Sequence, residues 1–249
     1  MPKEELGKGI RTFRRGMGQL TDALAQAVTG RADLRLDTRV ATVARADGRW
    51  RLTLAGGASE DVDAIVVATG AVAASRLLAG SFGEPARALA AAPTLSSVTV
   101  TLAYARDALG HALDGTGFVV AEAQQEHGFR ASTFITSKFP DRAPAGHASL
   151  RLFYRPSRDD LTALDDAGWT ARAEQSLARV MPVSGRPLRT WVSRWGDALP
   201  VFEPKHVDRV RALEAAIAGS GVVLAGSAFH GSGIDAAVRS ADAAARALA

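Results

Sequence analysis

The chain has 249 residues, 47% of them hydrophobic, with 30 basic and 26 acidic side chains and a formal charge of +4. That apolar share is enough for one large domain or two intertwined ones, and basic residues spread with no run longer than Arg14-Arg15 argue against a nucleic-acid partner. Zero cysteines exclude disulfides, thiolate nucleophiles and cysteine-ligated metals, and five scattered histidines (His111, His127, His147, His206, His230) lack zinc-like spacing, so no metal is expected.

In chain order, the start MPKEELGKGIRTFRRG has no apolar centre of the kind a signal peptide carries, and no apolar run approaches the roughly 20 residues of a bilayer span. A soluble, cytoplasmic protein is expected. Residues 20–28 have helical composition, with Thr21 or Asp22 as N-cap and Gly30 as stop. Strand signals follow at 34–36 and 39–45 (RVATVAR) and, beyond the Asp47-Gly48 pair that marks a hairpin turn, at 50–54 (WRLTL). After the Gly56-Gly57 turn, 62–68 (VDAIVVA) reads as one buried strand closing on Thr69-Gly70.

The middle of the chain changes character, with strand patterns at 96–104, 117–121, 129–137 and 148–154 that suggest an antiparallel sheet in a second domain. One long helix is expected over 161–180, a strand over 188–195 and a helix over 207–218. The end then runs from a buried strand at 221–225 (GVVLA) to a helix at 236–248. Between them Gly226, Gly231 and Gly233 allow a tight turn that can press backbone N–H groups against a ligand, or that simply turns the chain.

Taken in order, four segments make this layout more specific: FRRGMGQL at 13–20, SKFPDRAP at 137–144, WGDALPVFEPKH at 195–206 and AGSAFHGSGI at 225–234. They resemble segments of the flavin-dependent protoporphyrinogen and coproporphyrinogen oxidases, in the flavin-containing amine oxidoreductase superfamily. The resemblance implies a mixed α/β fold. A Rossmann-like FAD-binding part with a β-meander would occupy 1–80 and 201–249, interrupted by an antiparallel-sheet substrate domain at 81–200. Gly16-Met17-Gly18 follows a basic stretch rather than an apolar strand, so the GxGxxG segment that grips the ADP half of FAD is expected to lie outside this chain.

In that likeness Val40 meets the adenine, Thr69 and Gly70 lie beside the dinucleotide, and Trp195 belongs to the flavin site. Gly226 and Ser227 approach the ribityl and pyrophosphate groups. Gly231, Gly233 and Ile234 aim the N-terminus of the last helix at the pyrimidine edge of the flavin, where the helix dipole favours negative charge. Asp235 stands where the family often has proline and is read as that helix's N-cap. Val119 and Phe134 are expected to flank a tetrapyrrole, with Lys138 at a carboxylate edge and Arg130, Arg151 and Arg194 as alternatives. The implied reaction is oxidation of coproporphyrinogen III or protoporphyrinogen IX by FAD and O2, giving H2O2, with no catalytic side chain. Another flavin amine oxidase, a carotenoid desaturase or a non-catalytic fragment are the alternatives, and peripheral membrane contact and a homodimer stay open.

Overall fold

The computed structural model describes residues 12–139 and 141–249. Its first helix, α1 (Gly18–Val28), buries no side chain, and neither Thr21 nor Asp22 caps it. Met17 holds the N-cap position, while the Thr21 hydroxyl donates to the Gly18 carbonyl at 2.8 Å. The expected strand at 34–36 does not form. None of the three sheets offers it a neighbour, and Leu34 and Leu36 are 58% and 76% exposed.

The meander forms as expected from β1 (Val40–Ala46) and β2 (Arg49–Leu54), with Asp47 and Gly48 both at positive φ (51° and 82°) in the turn. That is the twist a two-residue hairpin requires. A third strand, β3 (Ser59–Val62), gives no apolar alternation in sequence and is supported by a paired Arg51 and Asp61 across the ladder. The single strand expected at 62–68 is two strands in two sheets: Val62 pairs with Trp50 in the meander, whereas β4 (Ile65–Val67) pairs in parallel with β10 (Val222–Leu224). Trp50 ties these parts together. It is buried, stacks under the Arg45 guanidinium at 4.4 Å, and its indole N–H donates to the Ser220 carbonyl at 2.9 Å.

Helix α2 (Ala71–Ala88) follows β4 and buries Ala74, Leu78 and Ala86, with an interruption at Gly83 just before Pro85. It shares one apolar core with the meander and with α6 (Pro204–Ile217). The second core belongs to a five-stranded antiparallel sheet of β5 (Thr94–Ala105), β6 (Gly117–Val119), β7 (Phe129–Phe134), β8 (His147–Tyr154) and β9 (Arg189–Pro200). Its strand order is β6-β7-β8-β5-β9. Strand β7 stops at Phe134 because the chain turns into a short helix, α3 (Ile135–Lys138).

Alternation gives this sheet two unlike faces. Val98, Val100 and Leu102 of β5 and Leu150 and Leu152 of β8 form an apolar core with Trp169, Ala173 and Leu177 of α5 (Asp166–Ala178). The helix expected over 161–180 is broken into α4 (Arg158–Ala163) and α5, because Asp165 caps α5 by accepting the Gly168 N–H at 2.8 Å. The last helix, α7 (Ile234–Ala247), buries only Ser240 and Ala244.

Asp160 on α4 makes a two-pronged pair with Arg172 on α5, at 2.9 and 3.1 Å. The hydrogen bond from Arg172 holds the Asp160 carboxyl below the usual carboxylate range. Its stabilisation is present above the ordinary aspartate value of about 3.9 and is lost as pH falls through the lower folded value. Asp160→Asn is expected to cost about 0.5–1 kcal/mol at pH 7. In denaturant melts the gap between variant and parent should close towards acid pH.

Candidate functional site

The parallel pair brings together two segments that lie far apart in sequence. Val67 and Leu224 are the last paired residues of β4 and β10, and the Ala225 N–H continues the ladder to the Val67 carbonyl at 3.0 Å. Both chains then leave the sheet at the same end. One runs through Thr69 and Gly70 into α2, and the other through Gly226 and Ser227 towards α7. Gly226 has φ 95°, a backbone conformation that favours glycine, and it lies beside Ala68, whose carbonyl oxygen a Cβ there would meet at 3.4 Å.

Hydrogen bonds from two helices fix the glycine turn. The Gly226 N–H donates to the Ser240 hydroxyl of α7 at 2.8 Å, which in turn donates to the Ala237 carbonyl at 2.9 Å. From α6, His206 Nε2 meets the Ala228 carbonyl at 2.9 Å. Gly233, with φ 116°, is the N-cap of α7. Asp235 therefore does not cap the helix, contrary to the sequence expectation, and instead pairs with Arg239 one turn on.

Two adjoining hollows open around these strand ends. One of about 420 Å³ is lined by Thr69, Gly70, Arg76, Asp197, His206 and Ser227. The other, of about 820 Å³, is lined by Val40, Val66, Leu77, Thr69 and Arg76. Thr69, Ala73 and Arg76 line both, so the two hollows adjoin, with Gly70 and Ser227 on the smaller, Val40 on the larger and Thr69 between them. Gly226 shapes its turn from behind. Gly231, Gly233 and Ile234 lie past that turn and line neither hollow, and the Ile234 side chain is 54% exposed.

Three lining residues have no counterpart among those expected from sequence. Arg76 lies one turn beyond Ala73 on α2, so a helix recognised in AVAASRLL would have aligned the two. Asp197 sits at φ 48° where the β9 register slips against β5, and its N–H donates to the Ser96 hydroxyl at 2.9 Å. The preceding Gly196, inside a strand pattern, is the usual sign of such a bulge. His206 is 1% exposed, and its Nδ1 has no hydrogen-bond partner among the described residues.

The remaining expected residues are not gathered there. Trp195 lines a separate cleft of about 760 Å³ on the uncovered face of the five-stranded sheet, with Arg15, Arg142, Arg151 and Trp191. Val119 and Phe134 cannot flank one ligand. Val119 pairs with Ala131 and Phe134 with Leu150, which puts the two on opposite faces. Val119 is 82% exposed, whereas Phe134 is 3% exposed and packs edge-on to Phe118 at 6.0 Å within the core. Lys138 stands over the Phe139 ring at 5.6 Å and lines none of these spaces. Arg194 is paired with Asp166 on the helix side at 2.5 Å. Among the described residues no helix is long and apolar enough to cross a membrane, and no group of three or more His, Asp or Glu side chains could hold a metal ion.

A helix-flanked parallel pair with glycine turns at its carboxyl ends, joined to a large antiparallel sheet, is the arrangement of a known class of oxidoreductase: the chain belongs to the flavin containing amine oxidoreductase family, whose profile matches residues 2–249. Within it, the chain is 33% identical over 228 residues to the coproporphyrinogen III oxidase of Propionibacterium freudenreichii and 28% identical over 202 residues to that of Bacillus subtilis. These alignments cover 90% and 79% of this chain but 42% of each relative, so the chain spans about two-fifths of their length. A crystal structure from Exiguobacterium sp. 255-15, provisionally named a protoporphyrinogen oxidase, superposes with a TM-score of 0.83 at 28% identity over 95% of this chain and 51% of its own. Putrescine oxidase, at 17% identity and a TM-score of 0.63, shares the fold.

Two substitutions separate the core from the site. Phe134→Ala is expected to cost about 3–5 kcal/mol of stability, as a core cavity does. Gly226→Ala forces a side chain into a backbone conformation that costs at least about 1 kcal/mol, and thermal melts should rank Phe134→Ala as the more damaging of the two.

Proposed function

We propose that the chain holds flavin and substrate in an FAD-dependent porphyrinogen oxidase, which oxidises coproporphyrinogen III or protoporphyrinogen IX with O2. The observation that carries this reading is the pair of adjoining hollows at the carboxyl ends of β4 and β10, where Thr69-Gly70 and Gly226-Ser227 converge. Ligands of open α/β sheets bind at that end of the strands. Residues 1–80 and 201–249 form the FAD side in a Rossmann-like arrangement, and 81–200 form the substrate side. The coproporphyrinogen III oxidase relatives favour a tetrapyrrole over an amine.

The residues present fit the cofactor. Gly226 leaves its turn free of a side chain beside Ala68, and His206 offers a buried ring nitrogen without a partner at the wall of the 420 Å³ hollow. With Nε2–H committed to the Ala228 carbonyl, Nδ1 is left as an acceptor for a ligand hydroxyl. Val40 gives an apolar wall for an adenine, and Arg76, at the junction of the two hollows, gives the charge a diphosphate calls for. FAD supplies the two-electron acceptor that these side chains lack. Three such oxidations convert the porphyrinogen to the porphyrin, each passing two electrons and two protons to O2 as H2O2.

The chain purified with added FAD is expected to be yellow, and His206→Phe to weaken flavin binding about tenfold or more, in line with a lost buried hydrogen bond. Folded but colourless protein that gains no flavin absorbance on titration would overturn the assignment of a self-sufficient flavin site to this chain's own residues.

A further inference from the structure

The wall of the smaller hollow includes Ser227 and Ala228, which belong to no helix or strand. The segment from Gly226 to Gly233 holds three glycines at positive φ, and glycine loses more conformational freedom on ordering than any other residue. Left to itself, such a segment would sample many shapes before a ligand fixed one. It is instead held at three points, all from behind.

The first two ties are the Ser240 hydroxyl on the Gly226 N–H and the His206 ring on the Ala228 carbonyl. The third is a side-chain pair, in which His230 Nε2 donates to the Glu214 carboxylate at 2.9 Å. Glu214 and His206 lie on α6 about two turns apart, so one face of that helix grips Ala228 and His230 together. Between these two, Phe229 is 2% exposed and anchors the segment in the apolar core. Ser240 is buried among the alanines of α7, where it accepts one hydrogen bond and donates another. Glu214, His230 and Ser240 line a separate groove of about 510 Å³ and neither hollow, so they act on a ligand there only through the backbone of the turn.

We infer that Ser240 and the Glu214–His230 pair are positioning residues for the cofactor: they set residues 226–230 in the ligand-ready conformation before the flavin arrives. The inference rests on the flavin reading of the hollow above. Its physical basis is preorganisation, since ordering completed during folding no longer opposes binding.

Hydrogen exchange of the whole chain without FAD reads the turn directly. Ser240→Ala and Glu214→Ala should each speed exchange of the amides of 227–232 about tenfold and leave β5 and β8 at parental rates. Glu214→Gln, whose side-chain carbonyl still accepts from His230, should stay within about twofold of the parent. Arg246→Ala breaks an exposed pair with Asp242 elsewhere on α7 and should move nothing in the turn. In FAD titrations the two alanine variants should weaken binding about three- to tenfold. A lowered melting temperature with parental exchange in 227–232 and parental FAD affinity would mean a merely structural role and overturn the inference. Faster exchange with unchanged FAD affinity overturns it as well. If the parent itself takes up no FAD, the self-sufficient flavin site fails separately, while the exchange rates still uphold or overturn the preset turn.

Discussion

Everything at the candidate site depends on the parallel register of two three-residue strands. Ile65, Val66 and Val67 align with Val222, Val223 and Leu224, and the same register sets Thr69-Gly70 beside Gly226-Ser227. A one-residue slip would reverse which side chains face the core and would shift the two turns relative to each other. So short a ladder is a weak constraint taken alone, since parallel strands gain stability mainly from what covers their faces. Here the meander, α2 and α6 supply that cover, through the cluster of Trp50, Leu78, Val210, Leu213 and Ile217.

The antiparallel sheet solves a different problem with the same alternation. One face is apolar and closed by α5; the other is left with Thr99, Thr101, Arg151, Ser193 and two tryptophans. Because successive residues point to opposite sides, the strands that build the core necessarily build the cleft as well. Replacements on the open face can therefore change ligand recognition while leaving Leu102, Leu150 and Trp169 packed.

Much of this was legible in the sequence where local chemistry decides the outcome. Asp47-Gly48 specified a hairpin, the runs of alternating residues specified β5, β7 and β8, and the glycines after β10 marked a turn. What escaped was decided by contacts distant in the chain. Strand β3 is polar and exists because Arg51 and its ladder partners hold it, and 62–68 divided because Val62 and Ile65 found different neighbours. The missed bulge at Asp197 and the buried orphan nitrogen of His206 likewise arise from packing, which single-residue patterns do not encode. Phe134 was misplaced for a plainer reason. Its position along β7 could be read, but which face counted as inside depended on where α5 came to rest.

The glycine turn shows how the two parts of the chain are mechanically joined. Its backbone is held by Ser240 on α7 and His206 on α6, while the segment entering α6 is the end of β9, whose bulge at Asp197 borders the same hollow. A shift of β9 along the antiparallel sheet would move Asp197 and, a few residues on, the helix that carries His206. Trp195 stands two residues before Asp197 and lines the cationic cleft. One strand thus touches both spaces: its middle residues line the cleft, and its distal end sets the wall of the hollow.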